Sequence, residues 1–185
     1  MTPPGGRLLT ARATTIVAAA RRILEGEGRD ALTMRRLATE VGVRAPSLYK
    51  HFPTKRAVEV ALIEQGLAEF GEALHAAVVS SGEGDPAPGL LAAYRAAALA
   101  NPALYRLATS GPLPRDELTP GLEEWAGEPF FLATGDPARA QALFAFAHGM
   151  TILELDDRFP AGSDLPASWM AGADAFTHRR RGGAR

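Results

Sequence analysis

The stretch over residues 32–56 constrains this chain most, because it reads as two short helices joined by a glycine turn. Thr33 is suited to an N-cap, and Met34, Leu37, Ala38 and Val41 recur at helical spacing, so a helix of about two turns buries one face. Gly42 ends it, since glycine reaches the left-handed conformation a tight turn needs, and Val43 then drops between the helices. Pro46 suits the first turn of a second helix, where its missing N–H is not required. Leu48 and Phe52, at i and i+4, face inward, which leaves Arg44, Ala45, Ser47, Tyr49, Lys50 and His51 toward solvent.

A short exposed helix carrying Arg, Ser, Tyr, Lys and His is rich in groups that bond phosphate oxygens and base edges. Its start offers base-edge contacts and its end offers phosphate contacts. Charge is divided in the same sense. Residues 1–56 hold eleven Lys+Arg against four Asp+Glu, a formal +7, whereas residues 57–185 hold nine against seventeen, a formal −8. The overall −1 therefore hides a basic head, and attraction to nucleic acid depends on the local face rather than the total.

The order Thr-x-Arg-x-Leu-Ala from Thr33, Val-Gly-Val from Val41, Pro-Ser-Leu-Tyr-x-His-Phe from Pro46, and Lys55 three residues beyond Phe52 resembles the DNA-binding head of TetR-family transcriptional regulators. An apolar helix upstream, with Ala13, Ile16, Val17, Ala20, Ile23 and Leu24, would brace the motif. The resemblance implies an all-α, TetR-like fold with a three-helix helix-turn-helix head at 10–56 (motif about 33–52) and a ligand-binding and dimerisation domain at 57–178, while the Arg-rich run at 179–185 is expected to be a disordered basic tail. It implies base-edge positions for Arg35, Arg44, Ala45, Pro46, Ser47 and Lys50, and phosphate positions for Thr33, Tyr49, His51 and Lys55. Ala45 departs from the polar residue often found there; it can touch a thymine methyl but cannot hydrogen-bond a base.

Beyond the head the pattern is punctuated helix, with no alternating strand pattern. A helix capped by Thr54 is expected to run to about Ser80, with Ile63, Leu67, Phe70, Leu74 and Val78 as its apolar stripe. A loop over 80–88 precedes helices at 89–100 and about 103–109, and a segment near 121–133 is expected to break at Gly127-Glu128-Pro129. Asp136-Pro137 opens a helix to about Asp157 or Arg158 whose apolar residues wrap nearly all the way round. A last amphipathic helix over 165–178 carries Trp169, Met170, Ala173 and Phe176. A two-sided apolar helix followed by an apolar-faced partner suits a four-helix bundle across a two-fold axis, with the Trp169 face in the dimer contact; the alternative is that both faces pack within one subunit. The run Phe144-x-x-x-His148-Gly149-x-x-x-x-Glu154-Leu155 also resembles the effector domain of one TetR subgroup, and His148-Gly149 is read as marking close helix packing.

Catalysis finds little support. His148 and Glu154 are six residues apart, about 600° of helical rotation, so they do not chelate together. Asp156 and Asp157 are expected to end the helix in solvent, and no glycine-rich phosphate loop or Cys–His pair is present. Without cysteine, disulfides and thiolate metal sites are excluded. No catalytic residues, metal ligands or cofactor are expected. The N-terminal residues lack an apolar signal core and no run approaches a membrane span, so a cytoplasmic protein without membrane contact is expected.

The function expected is a homodimeric one-component regulator that binds an inverted-repeat operator in double-stranded DNA and is released by an unidentified small-molecule effector, repression being the usual family outcome. Phe70, Leu74, Tyr94, Tyr105 and Trp125 are expected to line the effector pocket, their aromatic surfaces suiting a mostly apolar ligand. The alternative is a ligand-binding or protein-interaction module on the same fold without specific operator binding.

Overall fold

Side-chain caps set the helix boundaries. In the computed structural model, which describes residues 3–5 and 9–176, Thr10 Oγ1 accepts from the Ala13 amide at 3.2 Å to open α1 (Ala11–Glu27). Thr33 Oγ1 accepts from Arg36 N at 3.1 Å to open α2 (Met34–Glu40), and α3 (Ala45–Tyr49) follows. Thr54 Oγ1 accepts from Ala57 N at 3.0 Å ahead of α4 (Lys55–Ser80). Then come α5 (Ala87–Ala100), α6 (Pro102–Thr109), a short 3-10 turn (Arg115–Glu117), α7 (Leu122–Thr134), α8 (Pro137–Leu155) and α9 (Leu165–Phe176). Asp136 caps α8 as expected, its Oδ1 accepting from Arg139 N at 2.8 Å. No strand occurs among the described residues, so the fold is all-α; the tail expected over 179–185 lies outside them. No described helix is long and apolar enough to cross a membrane.

The chain forms two compact units. The head-bearing unit gathers the chain up to Glu69 together with Asn101–Trp125, and the second unit gathers Phe70–Ala100 with the chain from Ala126 onward. The backbone therefore leaves the head-bearing unit inside α4, returns between α5 and α6, and leaves again inside α7.

In the head-bearing unit α1 packs on α2 and α6, and α2 on α3. Ile16, Ile23 and Leu24 of α1, Leu37 of α2, Leu48 of α3, Leu62 of α4 and Leu104 of α6 are all buried in one apolar core. Glu64 of α4 is buried as well, its Oε1 accepting from Thr119 N at 2.7 Å and Thr119 Oγ1 at 2.8 Å, which holds the chain ahead of α7.

In the second unit α5 packs against α8 and α9, which also pack together. Leu143, Ala147 and Thr151 form the buried line of α8 at i, i+4 and i+8. The ring of Phe146 lies directly on Gly172 of α9, where a Cβ would overlap it, and meets Trp169 edge-on at 5.8 Å. Trp169 is thus buried within its own chain, the alternative left open for that face. Gly149 has open space around its Cβ position, so the close approach belongs to Gly172 and not to His148-Gly149. The Arg95 guanidinium holds both Glu154 oxygens, the shortest contact being 2.6 Å.

The expected break at Gly127-Glu128-Pro129 does not occur, and α7 runs through Pro129. Proline removes one donor, but buried Trp125, Ala126, Phe130 and Ala133 on either side anchor both turns, and packing of that face outweighs the local penalty.

Two glycines make opposite predictions. Gly42 sits at φ 67°, so Gly42→Ala should lower stability by about 1–2 kcal/mol in urea unfolding. Gly149 is helical with nothing within 4 Å, so Gly149→Ala should raise stability by about 0.5–1 kcal/mol. A pH effect follows from His148, which burial pushes below its ordinary value of 6.5. The unfolded chain then binds the proton more readily, so this contribution to stability is present above pH 6.5 and is lost as pH falls through the folded value. From pH 7.5 to 5 the unfolding midpoint of the wild type should therefore fall relative to that of His148→Gln.

Candidate nucleic-acid interface

The turn between α2 and α3 is fixed by hydrogen bonds at both levels. Val43 N donates to Ala38 O at 3.0 Å and Gly42 N donates to Thr39 O at 3.1 Å, the paired pattern of a Schellman ending, with Val43 packed on the core. Arg44 stands at the start of α3, its carbonyl accepting from Ser47 N at 2.9 Å. Leu48 is 0% exposed and Phe52 is buried beside it, so the face of α3 turned outward is settled by the face turned in. That outward face presents Arg44, Pro46, Ser47, Tyr49, Lys50 and His51, all exposed, with Tyr49 48% accessible despite its ring. Ala45, expected toward solvent, is half-buried against the core, because the first residue of α3 turns its methyl toward the packed side.

Charge around this face is sorted by ion pairing. Arg36 holds Glu27 at 2.6 Å and Glu40 at 2.9 Å, and Arg22 reaches Glu40 at 3.3 Å. These contacts hold the Glu40 carboxyl below its ordinary range, hydrogen bonding from Arg36 being the larger cause and that from Arg22 the next. Arg29 pairs with buried Glu59 at 3.0 Å, and Arg56 with Glu117 at 2.8 Å. Arg12, Arg35, Arg44 and Lys50 stand outside every ion pair among the described residues. Neighbours Arg35 and Arg36 show the division most sharply. One helical step of about 100° sends Arg36 into two carboxylates and leaves Arg35 exposed.

Two of the expected phosphate ligands carry other duties. Thr33 is exposed but its Oγ1 is the cap of α2. Lys55 donates through Nζ to the Arg29 carbonyl at 3.1 Å and lies 3.7 Å from Glu59, so it also ties the start of α4 to the end of the α1 segment.

The residues expected to line an effector pocket divide between the units. Phe70 and Leu74 of α4 and Tyr94 of α5 lie in the second unit, where Phe70 meets Tyr94 edge-on at 5.8 Å. Tyr105 of α6 and Trp125 of α7, both buried, lie in the head-bearing unit. The cluster around Tyr94 also includes Phe130 at 5.8 Å and Phe144 at 6.3 Å, and His148 stacks on Phe144 at 6.0 Å. The i, i+4 spacing of Phe144 and His148 was the available signal for the last pair.

Residues 16–62 match the family model for bacterial regulatory proteins of the tetR family, which covers the span from α1 into α4. The tetracycline repressor protein class A from transposon 1721 of Escherichia coli is 49% identical over 55 residues, 30% of this chain and 26% of that protein. The aligned part thus spans about a quarter of that relative's length. Over most of the chain the fold is similar to that of a Rhodococcus sp. RHA1 protein of unknown function, with a TM-score of 0.78 at 24% identity covering 92% of this chain and 95% of that one. The multidrug binding protein EbrR, solved with imidazole, gives a TM-score of 0.69 at 25% identity over 90% of this chain and 96% of its own. A possible TetR family transcriptional regulator from Streptomyces coelicolor A3(2) gives 0.64 at 22% identity, covering 89% and 96%. The head over residues 16–62 is thus of the tetR type, with cations outside every described ion pair, and most of the chain shares the fold of the proteins above.

Proposed function

We propose that this protein is a sequence-specific DNA-binding transcriptional regulator, acting in the cytoplasm as a homodimer on an inverted-repeat operator and released from it by a small-molecule ligand. The observation that carries the reading is the sorting of charge. Arg36, Arg22, Arg29 and Arg56 are bound to carboxylates, while Arg35, Arg44 and Lys50 remain available around the exposed face of α3. A solvated helix with no partner has no use for that separation. Arg35, Arg44, Ser47 and Lys50 are assigned to base edges with Pro46 in apolar contact, and Thr33, Tyr49, His51 and Lys55 to phosphates.

Dimerisation is assigned to α8 and α9, where Phe144, Leu153 and Met170 stay exposed after the chain has buried Trp169; Met170 is 51% accessible. The ligand is assigned to the second unit, near Phe70, Leu74 and Tyr94, in keeping with the small molecules named with EbrR. Repression is the sense of regulation favoured by the tetracycline repressors matched by the head.

Gel shifts on duplexes selected from a random pool test the reading. Lys50→Ala should relax preference at one base pair by about 1–3 kcal/mol, with stability changed by less than about 0.5 kcal/mol. Lys55→Ala should weaken binding to all sequences and lower the slope of log K against log salt by about 1, and it should also cost about 1 kcal/mol in urea unfolding because the bond to the Arg29 carbonyl is lost. Arg44→Ala should relax preference at one base pair by about 1–3 kcal/mol. The selected site should be an inverted repeat, and sedimentation should show a dimer that Met170→Glu disperses. Binding of equal strength to every duplex would favour the alternative module without an operator.

A further inference from the structure

The start of α6 is held by a carboxylate from another helix. Glu25 of α1 accepts from Ala103 N at 3.1 Å through one oxygen and from Leu104 N at 2.8 Å through the other. These are first-turn amides that a helix's own N-cap ordinarily satisfies. Asn101 occupies the N-cap position but makes no side-chain cap bond; its Oδ1 instead accepts from Arg21 Nη2 at 2.9 Å. The same nitrogen donates to Glu69 Oε2 at 2.8 Å, and Arg21 Nη1 donates to Glu69 Oε1. Glu69 is further fixed by Gln65 Nε2 at 2.9 Å, one turn back on α4.

Glu69 and Asn101 have special places in the chain. Glu69 is the last residue of the head-bearing unit before the backbone passes to the second unit, and Asn101 is the first after it returns. One guanidinium from α1 therefore grips both ends of the excursion, and one carboxylate a turn away on α1 grips the helix that follows.

We propose that Arg21 and Glu25 are positioning residues forming a latch, which locks the two crossing points and the start of α6 to α1 and so makes displacement of α6 or of the α4 crossing a displacement of the head. The latch rests on the regulatory reading above for its purpose, but not for its existence. A helix that caps itself can tilt without its neighbour; one whose N2 and N3 amides end on a neighbour's carboxylate cannot move without breaking charge-assisted bonds. The bidentate Arg21–Glu69 pair adds direction, because its planar fork fixes orientation as well as distance.

Hydrogen exchange on the full chain tests this. Glu25→Ala should speed exchange at the Ala103 and Leu104 amides about tenfold while the core amides of α1 stay protected, and Glu25→Gln, whose single carbonyl oxygen serves one N–H well, should fall between. Addition of a duplex selected by the wild type should slow exchange through α6. With the duplex at concentrations that gel shifts show to saturate each variant, that slowing should disappear in Arg21→Ala/Glu25→Ala and return partly in Arg21→Lys, a response that a merely structural cap would not give. Unchanged exchange at Ala103 and Leu104 in Glu25→Ala overturns the latch, as does slowing by DNA that survives in the double variant. A wild type that selects no duplex overturns the operator reading instead, and the duplex-free exchange at Ala103 and Leu104 then decides the latch alone.

Discussion

The burial of Leu48 is the interaction on which the exposed surface of the head depends. α3 has five residues, far short of the length at which an isolated helix persists in water, so its helical state is imposed by tertiary packing. Leu48 and Phe52 supply that packing from one side, and the Schellman turn through Gly42 supplies the entry angle. A Leu→Ala change at a core site costs about 2–5 kcal/mol, comparable with a large part of a small unit's stability. The same burial that holds α3 in place fixes the direction of Arg44, Ser47, Tyr49 and Lys50.

Ion pairs then decide which cations remain available. Exposed pairs such as Arg22–Glu40 contribute little stability, because solvent screens them and ordering two long side chains costs entropy. Their consequence is distributive. Glu27, Glu40 and Glu59 each engage arginines on the sides of the head, so the positive potential is left where no carboxylate stands, around α3. The formal +7 of residues 1–56 overstates the usable charge and says nothing of its direction.

Much of this was legible in the sequence wherever the signal was local. Thr33, Thr54 and Asp136 mark helix starts through caps three residues long, Gly42 marks a turn through its own φ, and Leu48 with Phe52 marks a buried face through spacing alone. What the sequence misjudged or left open has the opposite property. Gly127-Glu128-Pro129 carries a strong local break signal that the packing of Trp125 and Phe130 overrides. Trp169 on an amphipathic helix says only that something covers it; that Phe146 of the same chain does so depends on Gly172, whose missing side chain leaves room for the ring. The division of Phe70, Leu74 and Tyr94 from Tyr105 and Trp125 follows from which helices pack, which no periodicity records.

The start of α6 shows the limit of local reading most sharply. Asn101-Pro102 has the form of a self-sufficient helix start, a good N-cap followed by a first-turn proline. In the structure the asparagine side chain is turned to Arg21, and the amides it would have satisfied go to Glu25, 78 and 79 residues earlier in the chain. Cap satisfaction is obligatory, since buried amides without partners are costly, but the identity of the satisfying group is not. A local cap stabilises α6 alone, whereas a distant one makes the same hydrogen bonds conditional on the placement of α1. Nearly equal local energetics thus give two different mechanical objects, a helix that is independent of its neighbours and one that is registered to them, and only the three-dimensional structure distinguishes the two.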